Sequence, residues 1–160
     1  MPGAYKQKKA AEQEIAKQLA VINSFDEGTA REAIITNLHD HAEVLLMEED
    51  DKIDELTLAQ EREQANALTL SFCAMTSLSR YVGDPLLMHI TKLDLDFNSL
   101  SSIEPVLPLH NLRELRAGNN QVLEIPRDLP ERLSQLRFLT LVQNRITAVP
   151  ANICKLKKLK

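Results

Sequence analysis

The residues with the greatest potential for chemistry stand together at His39, Asp40 and His41. Histidine and carboxylate side chains are common metal ligands, but they must converge on one point to bind an ion. On a helix, residues two apart point about 200° apart around the axis, so the two histidines cannot hold one ion together. His89 and His110 stand alone in the sequence. We therefore predict no metal site and no cofactor.

The sequence offers one candidate nucleophile and no phosphate-binding loop. Cys154 lies among lysines at positions 155, 157 and 158, and nearby positive charge can activate a thiol. A buried structural cysteine is the competing interpretation, and we favour it. The chain has four glycines, and no stretch of it resembles a glycine-rich loop that cradles phosphate groups. We therefore predict that the chain is not an enzyme.

A repeat runs from residue 90 to residue 160 and includes Cys154. Its copies read ITKLDLDFNSLSSI, LRELRAGNNQVLEIP and LRFLTLVQNRITAVP. They begin at Ile90, Leu112 and Leu136, and a fourth begins at Leu159, so the repeat lengths are 22, 24 and 23 residues. A self-similar period in this range indicates a solenoid.

Each copy combines a short strand with a turn. In the first copy Leu93 and Leu95 alternate with polar residues, so one face of the strand is buried, and stacked copies give a parallel sheet. After the strand each copy has an asparagine, whose side chain can bond backbone groups that a sharp turn removes from water. These are Asn98, Asn120 and Asn144. The pattern resembles the leucine-rich repeat family, which implies a solenoid with an asparagine ladder and protein binding on the concave sheet.

Two copies carry a further mark of this resemblance. Ile125 with Pro126, and Val149 with Pro150, resemble the intracellular scaffold-type repeats of the family. The resemblance implies a convex core made of Leu129, Leu133, Ile153 and Leu156. In the first copy Pro105 falls one place later, so this copy departs from the pattern.

Residues 1–83 are predicted to form coiled-coil-like helices. Ile15, Leu19 and Ile22 recur at helical spacing, and a second stripe consists of Ile34, Leu38, Ala42 and Leu45. A third helix is expected to begin near Asp50 or Asp51. Its apolar end, from Leu68 to Val82, precedes the first repeat and is predicted to cap the solenoid. The helices before this cap either fold as a hairpin or project as an arm.

The predicted fold class is therefore α+β, with two domains. Residues 1–83 form the helical arm and amino-terminal cap, and residues 84–160 form the repeats. Residues 1–83 contain 8 Lys and Arg against 15 Asp and Glu, whereas residues 84–160 contain 11 against 8. The third repeat, from Leu136, is basic with no acid, which we interpret as a solvated edge and not as a nucleic-acid site.

The sequence also predicts a location. No stretch approaches the roughly 20 apolar residues of a membrane span, and the amino terminus lacks the apolar segment of a secretory signal. Cys73 and Cys154 are too few for a disulfide framework and favour a reducing compartment. We predict an intracellular and cytoplasmic protein without a membrane partner, although the nucleus is an open alternative.

The strand residues between the leucines should face the concave surface. In this set Lys92 and Glu114, and Asp94 and Arg116, lie on adjacent strands and are expected to pair. The set is Lys92, Asp94, Asp96, Glu114, Arg116, Gly118, Phe138, Thr140 and Val142. Charge pairing does not explain why Phe138 and Val142 stand on this surface. We therefore predict that a protein partner binds there, with contributions from Thr140, Arg116 and Arg137.

Two functions follow from this sequence. The first is a non-catalytic adaptor or scaffold subunit that binds one protein on the concave sheet and makes a second contact through the acidic helical arm. The alternative is the regulatory amino-terminal part of a larger signalling enzyme, such as a kinase, a phosphatase complex or a ligase, with its catalytic domain beyond residue 160. Because a fourth repeat only begins at Leu159, we also expect the chain to be continued or to be capped by another chain.

Overall fold

A computed structural model of the chain describes residues 28–47, 55–78 and 87–160. The chain separates into two compact units, residues 1–67 and residues 68–160. The boundary therefore falls earlier than the predicted one at residues 83 and 84. The reason lies in residues 67–78, which do not have the predicted structure.

The described part of the first unit contains two helices, α1 (Gly28–Met47) and α2 (Glu55–Ala65), which pack against each other. Ile34 and Leu38 of the predicted stripe are buried, and Val44 joins them. Asn37 is also buried, and its Nδ2 donates to the backbone carbonyl oxygens of Ala65 at 2.8 Å and Ala67 at 2.9 Å. Because the last carbonyls of a helix have no partner within it, Asn37 satisfies acceptors where α2 ends.

Some helix predictions lie outside the described residues. These are the first helix, with Ile15, Leu19 and Ile22, and the start of the third near Asp50. The third helix is described from Glu55 onward.

The predicted capping helix from Leu68 to Val82 is wrong as far as the described residues extend. Strand β1 (Ala67–Thr69) occupies its start, and turns without helix follow as far as Leu78. Leu68 and Leu70 are buried at alternate positions, as in a strand, whereas Phe72 is 70% exposed. In a helix Leu68 and Phe72, four residues apart, would lie on one face. Residues 79–82 lie outside the described part of the chain.

The second unit is a short solenoid with a sheet of β1, β2 (Lys92–Asp94), β3 (Glu114–Arg116) and β4 (Phe138–Thr140), in that order. Strands β2, β3 and β4 are parallel, with Leu93 opposite Leu115 and Leu115 opposite Leu139. Leu93 and Leu115 are fully buried, whereas Leu139, on the outer strand, is half-buried. The predicted parallel solenoid is therefore confirmed, and it begins one strand earlier than expected.

Short helices form the convex side. They are a 3₁₀ helix over Glu104–Val106, α3 (Leu129–Arg132) and a 3₁₀ helix over Ala151–Lys155. Leu129, Leu133 and Leu156 are buried as predicted, and Ile153 is half-buried.

The first copy, which departs from the repeat pattern, also has an ordered convex segment. Pro105 lies inside its 3₁₀ helix, and Ile103 and Val106 are buried beside it. A 3₁₀ turn therefore accommodates the shifted proline.

The prediction that Cys154 is buried is wrong. In a 3₁₀ helix, residues three apart share a face, and Cys154 lies on the exposed face with Ala151. Its Sγ lies 3.2 Å from the carbonyl oxygen of Ala151. Cys154 therefore contributes nothing to the core.

Candidate protein-binding surface

Asparagine side chains fix the end of each strand. Oδ1 of Asn98 accepts the backbone N–H of Met75 at 2.9 Å, and its Nδ2 donates to the carbonyl oxygens of Leu70 and Leu95 at 2.8 and 2.9 Å. Asn98 thus bonds both its own repeat and the preceding one. The side chain is 9% exposed, so these bonds replace water for backbone groups inside the turn.

The same arrangement recurs in the next two repeats. Asn120 accepts from Leu100 N at 3.0 Å and donates to Leu95 O at 2.9 Å. Asn144 accepts from Val122 N at 2.9 Å and donates to Ala117 O at 2.7 Å. The predicted ladder of Asn98, Asn120 and Asn144 is present, with each side chain bridging two repeats.

Sequence reasoning missed the first rung, which is Cys73. Its Sγ lies 3.5 Å from the carbonyl oxygen of Ser71, two residues earlier. Asn120 makes the same contact with Gly118 at 2.9 Å. The repeat pattern allows cysteine in place of asparagine, so Leu68, Leu70 and Cys73 could have been read as a further repeat.

The residue before each rung has a left-handed backbone. The φ angles are 58° at Phe72, 56° at Phe97, 51° at Asn119 and 53° at Gln143. Asparagine adopts this conformation more readily than most residues, whereas a bulky side chain seldom does. The turn therefore imposes one backbone shape on phenylalanine, asparagine and glutamine alike.

The predicted binding residues lie on the concave side and near its outer strand. Phe138 is 47% exposed and Val142 is 61% exposed, and Thr140 between them is half-buried. Arg116 stands directly opposite Thr140 on β3. Arg137, exposed in sequence before Phe138, is held by a backbone bond to Arg113 O at 2.7 Å. The structure thus places all five residues on β3, β4 and their immediate flanks.

Gly118 lies in this surface close to two side chains, Val142 after β4 and Asp96 of the first repeat. A Cβ atom at this position would lie 3.1 Å from Cγ2 of Val142 and 3.2 Å from Oδ1 of Asp96. The missing side chain allows Asp96 to reach the backbone N–H of Gly118, at 2.6 Å. Any larger residue at this position must displace one of these two neighbours.

Arg116 forms its ion pair with Glu114 and not with Asp94, the predicted partner. Arg116 bonds Glu114 on its own strand, with Nη2 2.7 Å and Nε 2.8 Å from Oε1. Residues two apart on a strand share a face, which permits this pair. The hydrogen bond and charge of Glu114 raise the pKa of Arg116 above its usual value, and the charges of Asp94 and Asp96 add to the effect. Partial burial opposes the shift.

The described residues contain no group of three or more His, Cys, Asp or Glu side chains that could hold a metal ion. Within the same residues, no helix has both the length and the apolar character to cross a membrane.

Comparison with known proteins matches the repeat pattern. No protein-family model matches the chain. Over 103 residues it is 36% identical to leucine-rich repeat-containing protein 58 of Mus musculus, covering 60% of this chain and 28% of that protein. The chain is thus similar to leucine-rich repeat proteins.

Two further proteins resemble the chain. Chaoptin of Drosophila melanogaster is 43% identical over 61 residues, which cover 38% of this chain and 5% of chaoptin. An internalin from Listeria monocytogenes has a TM-score of 0.46 at 17% identity, over 68% of this chain and 37% of the internalin. The chain therefore spans 28% and 5% of the lengths of the two curated leucine-rich repeat relatives.

Proposed function

We propose that this leucine-rich repeat chain is a non-catalytic adaptor or scaffold subunit that binds a protein partner on its concave sheet, centred on Phe138. The observation that carries the proposal is the exposure of Phe138 and Val142 two positions either side of Thr140. In register with Phe138, the preceding strands have Glu114 and Lys92, which are polar. At this position of the strand, which faces away from the core, an aromatic residue adds nothing to the packing of the solenoid.

Burial of an aromatic anchor at an interface is typically worth about 2 kcal/mol or more. Phe138 and Val142 supply the apolar centre, and Thr140 supplies a hydroxyl between them. Arg116 and Arg137 stand at the rim and guide an acidic segment of the partner. Glu114 already balances much of the charge on Arg116, so Arg137 is the stronger attraction.

The remaining parts of the proposal concern the rest of the chain. The acidic helical arm makes a second protein contact. The protein acts inside the cell, which is supported by its two cysteines, too few for a disulfide framework.

The second candidate is the regulatory front part of a larger signalling enzyme. The observation that favours it is that the chain spans 28% of the length of its mouse relative, so the similarity concerns one portion of a protein. A catalytic motif in a longer reading frame would support this candidate. Co-purification of a stable partner with the 160-residue chain would support the adaptor.

The test begins with affinity purification of the chain and identification of bound proteins by mass spectrometry, followed by calorimetric titration of the purified partner. Phe138→Ala should weaken binding at least roughly tenfold. Leu123→Ala is the matched control, because Leu123 is 57% exposed but lies outside the strands. It should leave affinity unchanged. A Phe138→Ala protein that loses stability but keeps full affinity would overturn the concave site and direct attention to the helical arm.

A further inference from the structure

Two phenylalanines stack on the surface at the other end of the sheet. The rings of Phe72 and Phe97 lie 4.4 Å apart between centroids and only 9° from parallel. Phe72 is 70% exposed and Phe97 is 48% exposed. We name this pair the aromatic step. It lies at the ends of β1 and β2, where the chain enters the ladder turn.

The fold does not require phenylalanine at these positions. Phe72 and Phe97 occupy the left-handed position before the ladder, and the next two repeats fill it with Asn119 and Gln143. The left-handed conformation disfavours bulky side chains. Each phenylalanine thus occupies an unfavourable backbone position without entering the core. Polar residues form the same turn, so the aromatic type calls for another explanation.

Fixed negative charge lies beside the aromatic step. Asp96 directly precedes Phe97, and the N–H of Phe72 bonds Asp96 O at 3.1 Å. Oδ1 of Asp96 accepts from Gly118 N at 2.6 Å, and Oδ1 of Asp94 accepts from Asp96 N at 2.9 Å. Both carboxylates are therefore held in place by backbone groups. Their field reaches Arg116, whose pKa it helps to raise.

The two ends of the sheet consequently differ in charge. The repeat of β2 has Asp94, Asp96 and Glu104 against Lys92, whereas the repeat of β4 has Arg137 and Arg145 and no acid. Arg116, between them, bonds Glu114. A partner of the aromatic step is thus expected to carry positive charge, opposite to the partner segment expected at Phe138.

We propose that the aromatic step binds an extended, basic segment of a partner protein, in which an arginine or lysine stands two residues from a large apolar side chain. Alternate residues of an extended segment lie on one side, about 6.6 Å apart. The apolar side chain packs against the Phe72 and Phe97 rings, and the cation pairs with Asp96 and Asp94. Aromatic rings also attract a guanidinium group directly.

This proposal goes beyond the function assigned to the Phe138 surface and does not depend on it. If one partner occupies both surfaces, its direction is fixed, with the basic segment at β1 and β2 and the acidic segment at β4. The binding of a basic segment alone requires only the aromatic step.

The test uses a synthetic probe. A fluorescein-labelled peptide in which arginine and phenylalanine alternate, each separated by glycine, is titrated with the full chain while fluorescence polarisation is followed. A second peptide has glutamate in place of arginine. We expect the arginine peptide to bind at least roughly tenfold more tightly, with an affinity that falls as salt rises.

Variants assign the binding to the aromatic step. Phe97→Asn installs the residue that the next repeat has at this position, so the left-handed turn is kept, and it should weaken binding at least roughly tenfold. Asp96→Asn keeps the acceptor for Gly118 N, removes the charge, and should weaken binding several-fold with a smaller salt dependence. Phe138→Ala should leave peptide binding unchanged.

Three results would overturn the proposal. They are equal affinity for the arginine and glutamate peptides, unchanged binding by folded Phe97→Asn and Phe72→Asn proteins, and loss of peptide binding on Phe138→Ala. Melting curves establish folding, and either phenylalanine variant alone suffices if the other does not fold. Failure of the Phe138 surface would instead appear only in the titration with the purified partner.

Discussion

Oδ1 of Asp96 accepts a hydrogen bond from the backbone N–H of Gly118, 2.6 Å away and one repeat further along the chain. Gly118 is buried and Asp96 is half-buried, so water cannot fully replace this acceptor. The bond links the ends of β2 and β3 on the concave side. It gives an acidic residue on the candidate surface a structural role.

Asp96→Ala should lower the free energy of unfolding by about 1 to 2 kcal/mol, because a buried N–H loses a charged acceptor. Asp96→Asn, which keeps an oxygen at the same place, should cost much less. Urea denaturation measures both. If the two substitutions shift the midpoint equally, the loss comes from charge and not from the bond to Gly118.

Asn120→Ala should destabilise the protein by roughly 1 to 3 kcal/mol, since Leu100 N and Leu95 O lose their partner inside the turn. Asn144→Ala should cost less, because Asn144 is half-buried whereas Asn120 is 8% exposed. His39→Ala, at an exposed helix position, serves as the control. Denaturation midpoints equal to that of the parent would contradict the energetic importance of the ladder.

Two truncations separate the helical unit from the first strand. Deletion of residues 1–50 should leave soluble repeats, because β1 and its turn remain. Deletion of residues 1–82 removes β1 and Cys73 and uncovers the Leu93 and Leu95 edge of β2, so this protein should aggregate. Size-exclusion chromatography distinguishes them. Identical behaviour of the two proteins would show that β1 does not protect the sheet.

Charge at the Phe138 surface should affect association more than dissociation. Arg137→Gln should slow binding of the identified partner and reduce its salt dependence, because a rim charge acts mainly through long-range attraction. Arg127→Gln, an exposed arginine in the turn before α3, is the matched control. Surface plasmon resonance at two salt concentrations measures both rates. Equal association rates for the two variants would remove Arg137 from the site.

The upward shift of the Arg116 pKa determines the pH range in which this residue affects the stability of the protein. A folded-state pKa raised above the unfolded value contributes stability that is complete below the unfolded pKa and lost only as pH rises through the folded one. For an arginine this range is strongly alkaline. Replacing Arg116 with Gln should therefore change stability equally at pH 6 and pH 9, as thermal melts can check. A difference between these pH values would assign the titration to another group.

The sequence predicted the repeats well because leucine positions and asparagine rungs each have one physical role. Leu93, Leu115 and Asn120 could be placed from spacing alone. Prediction from the sequence failed at residues 68–78, because Leu68, Phe72 and Met75 also fit helical spacing. In addition, this repeat has Cys73 where the other repeats have asparagine. Short apolar runs are ambiguous between helix and strand.

The candidate surface was predicted in part. Alternation along β4 correctly placed Phe138 and Val142 outward. It could not show that Arg116 would choose Glu114 over Asp94, because that choice depends on side-chain geometry. Nor could it reveal the stacking of Phe72 on Phe97, which requires the left-handed turns of two successive repeats.

The ladder also bears on how the solenoid folds. Each asparagine bonds backbone groups of its own repeat and of the preceding one, so a repeat satisfies its turn only when its neighbour is already ordered. In a linear array such nearest-neighbour coupling makes partial unfolding spread from one unit to the next. The strands should consequently lose the protection of their amide hydrogens one after another, beginning with β4, an edge strand whose Leu139 is half-buried.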